Sequence, residues 1–102
     1  MKFPIIWKIF AAENGCHYFA TRVHGHRLVV RYCPYTRPED PYHWEFAVDG
    51  RPQRRVTGWK KGMEQALETL DNPAAMEKIR MERLKGYNRA GWLDQNYVIH
   101  SR

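Results

Sequence analysis

Residues 17–33 read HYFATRVHGHRLVVRYC, a stretch that predicts a β-hairpin. Its two halves, His17–Val23 and Arg27–Cys33, are rich in the aromatic and β-branched residues that favour strands. The His-Gly-His at residues 24–26 predicts a turn, because Gly25 readily adopts the positive φ that tight hairpins require. The chain therefore contains at least one pair of antiparallel strands.

The segment after this hairpin predicts a second one. Residues 34–41 contain three prolines and two acids, which is typical of a loop. His43–Val48 is the third predicted strand, and Asp49-Gly50 after it is a strong turn signal. The fourth predicted strand, Gln53–Thr57, is short and rich in arginine. Pro52 places this hairpin near an edge of the sheet, because proline cannot donate a hydrogen bond to a neighbouring strand.

The segment before the first hairpin fits two structures. Residues 5–12 form a further strand if the Glu-Asn-Gly at residues 13–15 provides a turn. They form a helix instead if Pro4 begins it and Gly15 ends it. We favour the strand, which gives a sheet of four to five strands.

Two helices are predicted after the strands. The first carries an apolar stripe at helical spacing, formed by Met63, Ala66, Leu67 and Leu70. Asn72 is the expected N-cap of the second helix and Pro73 its first residue, and the helix is expected to end near Lys85. The aromatic and apolar tail, Trp92–His100, is expected to pack back on the core.

Together these elements predict an α+β fold, a small antiparallel sheet followed by two C-terminal helices packed on one face. The chain has 102 residues. A single α+β domain over residues 1–102 is therefore expected, since two domains of half that length would be marginally stable.

Period-two alternation assigns the strand residues to two faces of the sheet. The helices are expected to cover the apolar set, which consists of Phe19, Thr21, Val23, Leu28, Val30, Tyr32, Trp44, Phe46 and Val48. The opposite face is expected to be open to solvent. It carries Tyr18, Arg22, Arg27, Arg31, His43 and Glu45. This second face is both basic and aromatic.

The positive charge is concentrated in the middle of the chain. The 17 lysines and arginines exceed the 11 acids and give a net charge of +6. Residues 14–63 hold nine bases and four acids, whereas residues 64–102 hold six of each. A basic, aromatic surface is typical of nucleic-acid binding, in which cations neutralise phosphates and rings stack on bases.

We therefore predict a non-catalytic binding protein whose sheet face engages nucleic acid or a nucleic-acid-handling complex. Ordinary surface charge with cross-strand Arg–Glu pairing, involving Glu45, is the competing interpretation. Trp59 is of interest because an exposed ring beside basic residues would be a binding hot spot. The predicted binding residues are Tyr18, Arg22, Arg27, Arg31, Arg54, Arg55, Trp59, Lys60 and Lys61.

The hairpin-and-helix segment His43–Leu70 resembles the later part of double-stranded-RNA-binding domains. In that family a β-hairpin precedes a helix that opens with paired lysines, and Lys60 and Lys61 occupy that place here. Independently of the resemblance, two lysines at a helix N-terminus strengthen a phosphate site, because the free N–H groups and the helix dipole attract anions there. The alanine-rich helix of that family is absent, so no family is assigned.

Catalysis, metal binding and cofactor binding are not supported by motifs. The chain lacks the common nucleophile, phosphate-loop, zinc-protease and dinucleotide signatures, so we expect no enzyme activity and no cofactor. No metal site is predicted, because the cysteines and histidines lack zinc-ligand spacing. Those considered are Cys16, His17, His24, His26, Cys33 and His43. The redox state of the two cysteines is left open.

An alternative function is a small inhibitor or adaptor of the kind made by phages and mobile elements, similar to anti-CRISPR proteins in acting by protein–protein binding. The loop at residues 34–41 would then be a candidate specificity element. The expected partners are thus nucleic acid, a host protein complex or both.

No membrane is expected, because no apolar run is long enough to span one. Lys8 interrupts the N-terminal apolar run, so a signal peptide is not expected and a cytoplasmic location is. The oligomeric state is not predicted.

Overall fold

The computed structural model describes residues 5–11, 16–34 and 37–84. They form an antiparallel sheet followed by two helices, which confirms the predicted α+β fold. Each strand pairs with the next strand of the chain, in the order β1-β2-β3-β4-β5. The elements are β1 (Lys8–Ala11), β2 (His17–Val23), β3 (His26–Tyr32), β4 (Trp44–Val48), β5 (Arg51–Val56), α1 (Trp59–Leu70) and α2 (Pro73–Leu84).

Both predicted hairpin turns are present. His24 and Gly25 have φ values of 51° and 81°, and Asp49 and Gly50 have values of 50° and 86°. Two consecutive positive φ values are typical of the type I′ turn, whose twist matches that of the flanking strands. The Asp49 side chain, in the turn of the second hairpin, also contacts two residues of the first hairpin. One carboxylate oxygen accepts the Arg27 backbone N–H at 2.9 Å, and the other lies 2.7 Å from His26 Nδ1.

The N-terminal segment is a strand, as favoured from the sequence. β1 pairs with β2 and forms one edge of the sheet, and β5 forms the other. β5 begins at Arg51, two residues earlier than predicted, because an edge strand tolerates Pro52. The register shifts between Phe46 and Ala47, which pair with Arg54 and Pro52, so Gln53 is an extra residue that forms a bulge in β5.

The main core lies between the sheet and the helices. Its buried members include Leu28, Val30 and Phe46 from the strands, Ala66 from α1 and Ile79 from α2. The predicted apolar face of the sheet is therefore the face that the helices cover. We call this the helix side of the sheet.

Close contact between α1 and the sheet depends on a glycine. A Cβ atom at Gly62 would lie 2.8 Å from Val30 Cγ1 and 3.3 Å from Val56 Cγ2. The helix can therefore approach β3 and β5 only because Gly62 has no side chain.

The second helix begins as predicted. The Asn72 side-chain oxygen accepts the Ala75 backbone N–H at 3.2 Å, which caps the helix, and Pro73 is its first residue.

A buried arginine links β5 to α2. Arg51 is 3% exposed and its Nε lies 3.4 Å from Oε1 of Glu82. The predicted packing of the tail, Trp92–His100, falls outside the described residues. Within the described ranges, neither helix has the length and apolar character needed to cross a membrane.

Candidate functional site

Basic side chains occupy the sheet face opposite the helices. The strand register brings five basic residues to this face. Among the strand residues in the described ranges, Glu45 is the acidic residue on the same face. We call this surface the arginine face. Its basic residues are Lys8, Arg22, Arg27, Arg31 and Arg55.

One end of the arginine face is partly neutralised. Glu45 is the cross-strand partner of both Arg31 and Arg55. Its Oε1 lies 3.3 Å from Arg31 Nη2. The Arg–Glu pairing considered from the sequence is therefore present at this end, where it reduces the net positive charge.

The other end of the face remains strongly positive. Arg22 and Arg27 are directly opposed across the β2–β3 hairpin. Arg22 is exposed, and its Nη1 donates to the Gly25 carbonyl oxygen at 3.4 Å. Among the described residues, no carboxylate forms an ion pair with Arg22 or with the exposed Lys8 of β1. This end is therefore the part of the face best suited to an external anion.

A shallow groove of about 440 Å³ lies at this positive end. Lys8, Arg22 and Arg27 supply its charge, and Phe10 supplies an aromatic wall. Ala20 lies directly across from Lys8 in the neighbouring strand, and its small side chain leaves the space between the larger ones. The groove thus combines three cations with one aromatic ring.

Tyr18 does not present an exposed ring, contrary to the expectation from the sequence. It lies on the predicted face but is only 3% exposed, and its ring stacks on Phe10 with 5.3 Å between centroids. It belongs to a small apolar cluster with Ala20, Val29 and Ala47. Burial raises the pKa of Tyr18 and the charge of Arg27 lowers it. The face is therefore only partly open to solvent, because a second apolar cluster fills its centre.

Arg54 lies on the helix side instead of the arginine face. It is the cross-strand partner of Phe46, and its guanidinium lies 5.5 Å from the centre of that ring. Its Nη1 also donates to Gln65 Oε1 of α1 at 2.9 Å. Arg54 and Arg55 point to opposite faces because successive strand residues alternate.

The predicted residues at the start of α1 also lie on the helix side. Trp59 is 37% exposed and stacks on Phe19 with 5.1 Å between centroids. Lys60 Nζ lies 5.3 Å from the centre of the Trp59 ring, and Lys61 Nζ lies 3.7 Å from Glu64 Oε1. The nine predicted residues therefore do not form one surface. Tyr18, Arg22, Arg27, Arg31 and Arg55 are on one face, and Arg54, Trp59, Lys60 and Lys61 are on the other.

Two residues of the groove were missed from the sequence. Lys8 and Phe10 lie two positions apart, so a strand over residues 8–11 places both on one face. The signal was therefore available once the segment was treated as a strand. What the sequence did not reveal is that this strand pairs with β2 and brings Lys8 and Phe10 beside Ala20 and Tyr18.

The cysteines and histidines do not come together. Cys16 and Cys33 are free thiols, half-buried and buried respectively. Burial raises the pKa of Cys33, nearby Glu45 raises it further, and Arg31 and Arg55 lower it. Over residues 5–11, 16–34 and 37–84, no group of three histidine, cysteine or acidic residues is arranged to hold a metal ion.

A second groove, of about 520 Å³, lies beside α2. It has mixed charge, since Asp49, Asp71 and Glu77 line it together with Arg80 and Arg83. Carboxylates in its wall would repel a phosphate. The groove on the arginine face is therefore the better anion site of the two.

Comparisons with protein families, curated proteins and solved structures found no match to this chain.

Proposed function

We propose that this protein binds nucleic acid through the arginine face and acts as a binding protein without catalysing a reaction. The observation that carries the proposal is the opposed pair Arg22 and Arg27, which shares a groove with Lys8. Directly opposed like charges weaken a pair of strands. A bound polyanion would neutralise both charges, so the relief of their repulsion would add to the free energy of binding.

The chemistry of the face also fits phosphate. Arginine presents a planar array of donors that matches phosphate oxygens, and four of the five cations of the face are arginines. The five cations extend over all strands except β4, so the positive surface follows the width of the sheet. A surface of this shape suits a chain of phosphates better than a single small anion.

The proposal is tested with the full chain and a fluorescently labelled oligonucleotide, by anisotropy over a range of salt concentrations. The test variant is Arg22→Ala/Arg27→Ala. The matched control is Lys78→Ala/Arg80→Ala, which removes the same number of charges from exposed positions on α2.

We expect the arginine variant to lose affinity by about tenfold or more at low salt. Its plot of log affinity against log salt should become shallower by about 1.4 to 1.8, the contribution of two phosphate contacts. The α2 control should keep an affinity close to that of the unmodified protein.

Two outcomes would overturn the proposal. One is undetectable binding at a salt concentration on the order of 50 mM, where electrostatic binding is strong. The other is an equal loss in the two variants, since binding would then follow net charge and not the arginine face. The first result would favour the protein-binding inhibitor as the alternative.

A further inference from the structure

The groove on the arginine face has two chemically different walls. It lies between two rows of cross-strand neighbours: Phe10, which stacks on the buried Tyr18, lines one side, and Arg22 with Arg27 lines the other. Ala20 lies between these rows on β2, and Lys8 is its partner on the edge strand. The aromatic row and the arginine row are therefore separated by one small residue.

The spacing of the two walls follows from strand geometry. Tyr18 and Arg22 are four residues apart, so the two rows are separated by about 13 Å along β2 at the backbone. Arg22 lies at the turn end of this span, where its Nη1 donates to the Gly25 carbonyl oxygen. Arg22 and Arg27 line the same groove as Phe10, which shows that the two walls border one space.

The aromatic wall is preorganised. Phe10 is half-buried, and its ring already stacks on the buried Tyr18 with an interplanar angle of 19°. A ring held in place in this way loses little conformational freedom when a further planar group stacks on it. Phe10 is thus a suitable platform for a nucleobase, since stacking on an aromatic side chain accepts any base.

Resting on the proposed function, we infer that this groove selects single-stranded nucleic acid. One base stacks on Phe10, and a neighbouring phosphate of the same strand lies against Arg22, Arg27 and Lys8. A duplex keeps the faces of its bases stacked on one another, so it can offer the groove phosphates but no free base. The helices pack on the other side of the sheet, so neither α1 nor α2 stands on this face to enter a duplex groove.

The test compares the full chain with its Phe10→Leu and Phe10→Tyr variants. Three labelled probes of equal length are used: a single strand, the corresponding duplex, and a single strand in which abasic sites replace the bases. Phe10→Leu keeps an apolar side chain against Tyr18 but removes the aromatic platform, and Phe10→Tyr restores it.

We expect the unmodified protein to prefer the normal single strand to the duplex and to the abasic strand. Phe10→Leu should lose about 5- to 150-fold in affinity for the normal strand, the range for one stacked base. Its affinities for the duplex and the abasic strand should hardly change, and Phe10→Tyr should behave as the unmodified protein does. A general loss of structure in Phe10→Leu would lower the affinity for all three probes, so this pattern separates stacking from folding.

The inference is overturned if the three probes bind equally well and Phe10→Leu binds each as the unmodified protein does. The arginine face would then contact only the backbone, and the proposed nucleic-acid binding would still stand. Absence of binding to every probe would instead contradict the proposed function itself.

Discussion

Arg22 of β2 and Arg27 of β3 are direct cross-strand partners beside the first hairpin turn, with their side chains on the same face of the sheet. Opposite charges would stabilise this position and like charges weaken it. Removing one of the two arginines would therefore relieve a like-charge repulsion. The like-charge pair weakens the pairing of the two strands, and a bound anion would remove the repulsion. Its presence therefore supports a role in binding.

Replacing Arg22 by threonine should stabilise the protein while weakening its affinity for an oligonucleotide. Loss of the like-charge pair should raise the free energy of unfolding by about 0.2–1 kcal/mol. Urea unfolding and anisotropy measure the two effects. The control is Lys8→Thr, because Lys8 is opposite Ala20 and its removal relieves no such repulsion. A clear destabilisation by Arg22→Thr would show that Arg22 has a structural role.

Introducing a methyl group at Gly62 should destabilise the protein. The new Cβ would lie 2.8 Å from a methyl group of the fully buried Val30, so α1 must shift away from the sheet. Overpacking of this kind costs about 1–3 kcal/mol, and the higher helix propensity of alanine recovers about 1 kcal/mol. Gly58→Ala is the control, since nothing lies within 4 Å of its Cβ position. Equal unfolding midpoints for the two variants would contradict close packing of α1.

Truncating Phe46 should be strongly destabilising. Phe46 has no exposed surface and lies in the core between the sheet and the helices. Phe46→Ala is expected to lower the free energy of unfolding by about 3–5 kcal/mol. Leu84→Ala is the control because Leu84 is 68% exposed, and chemical unfolding compares the two. A small effect at Phe46 would mean that the strand register places it on the other face.

The thiol of Cys33 should ionise above its ordinary pKa of 9.0, because burial and the nearby Glu45 both raise the pKa. In a Cys16→Ser background, the alkylation rate of Cys33 with iodoacetamide should show its inflection above pH 9.0. Glu45→Gln should move the inflection to lower pH, since Arg31 and Arg55, which lower the pKa, would remain. An inflection below 9.0 in the parent would contradict the buried position.

Alkaline conditions should destabilise the fold for the same reason. The pKa values of Tyr18 and Cys33 are both raised by burial, from ordinary values of 10.0 and 9.0. Between each ordinary value and the raised one, the unfolded chain binds fewer protons than the folded chain, so the free energy of unfolding falls as pH rises. Urea unfolding at increasing pH should show this decline beginning near pH 9. A constant stability through pH 10 and above would contradict the burial of both groups.

Local features of the sequence predicted the elements well because each has a local cause. The turn at Asp49-Gly50 needs positive φ values, and the second helix needs a cap such as Asn72 and a compatible first residue such as Pro73. These requirements act over a few residues and can be read directly. The boundaries of β5 were less accurate because its register depends on a bulge in its pairing with β4.

The candidate site was predicted only in part. Alternation correctly placed Arg22, Arg27 and Arg31 on the face opposite the helices. The same rule applied across β5 would have separated Arg54 from Arg55, but grouping by nearness in sequence kept them together. Alternation predicts the face of the sheet on which a side chain lies but not how deeply it is buried. Tyr18 was therefore wrongly expected to be exposed.

The elements from β2 to α2, the two hairpin turns between β2 and β5 and the face that the helices cover were all predictable from the sequence. These follow from periodicity and backbone preferences, which are properties of neighbouring residues. Which charges share a surface depends on the pairing of the strands and the packing of the helices. Lys8 joins Arg22 and Arg27 because β1 pairs with β2, and Lys60 is kept from them because α1 packs on the other side of the sheet. Proximity between distant residues depends on strand pairing and helix packing, which join residues far apart in the chain.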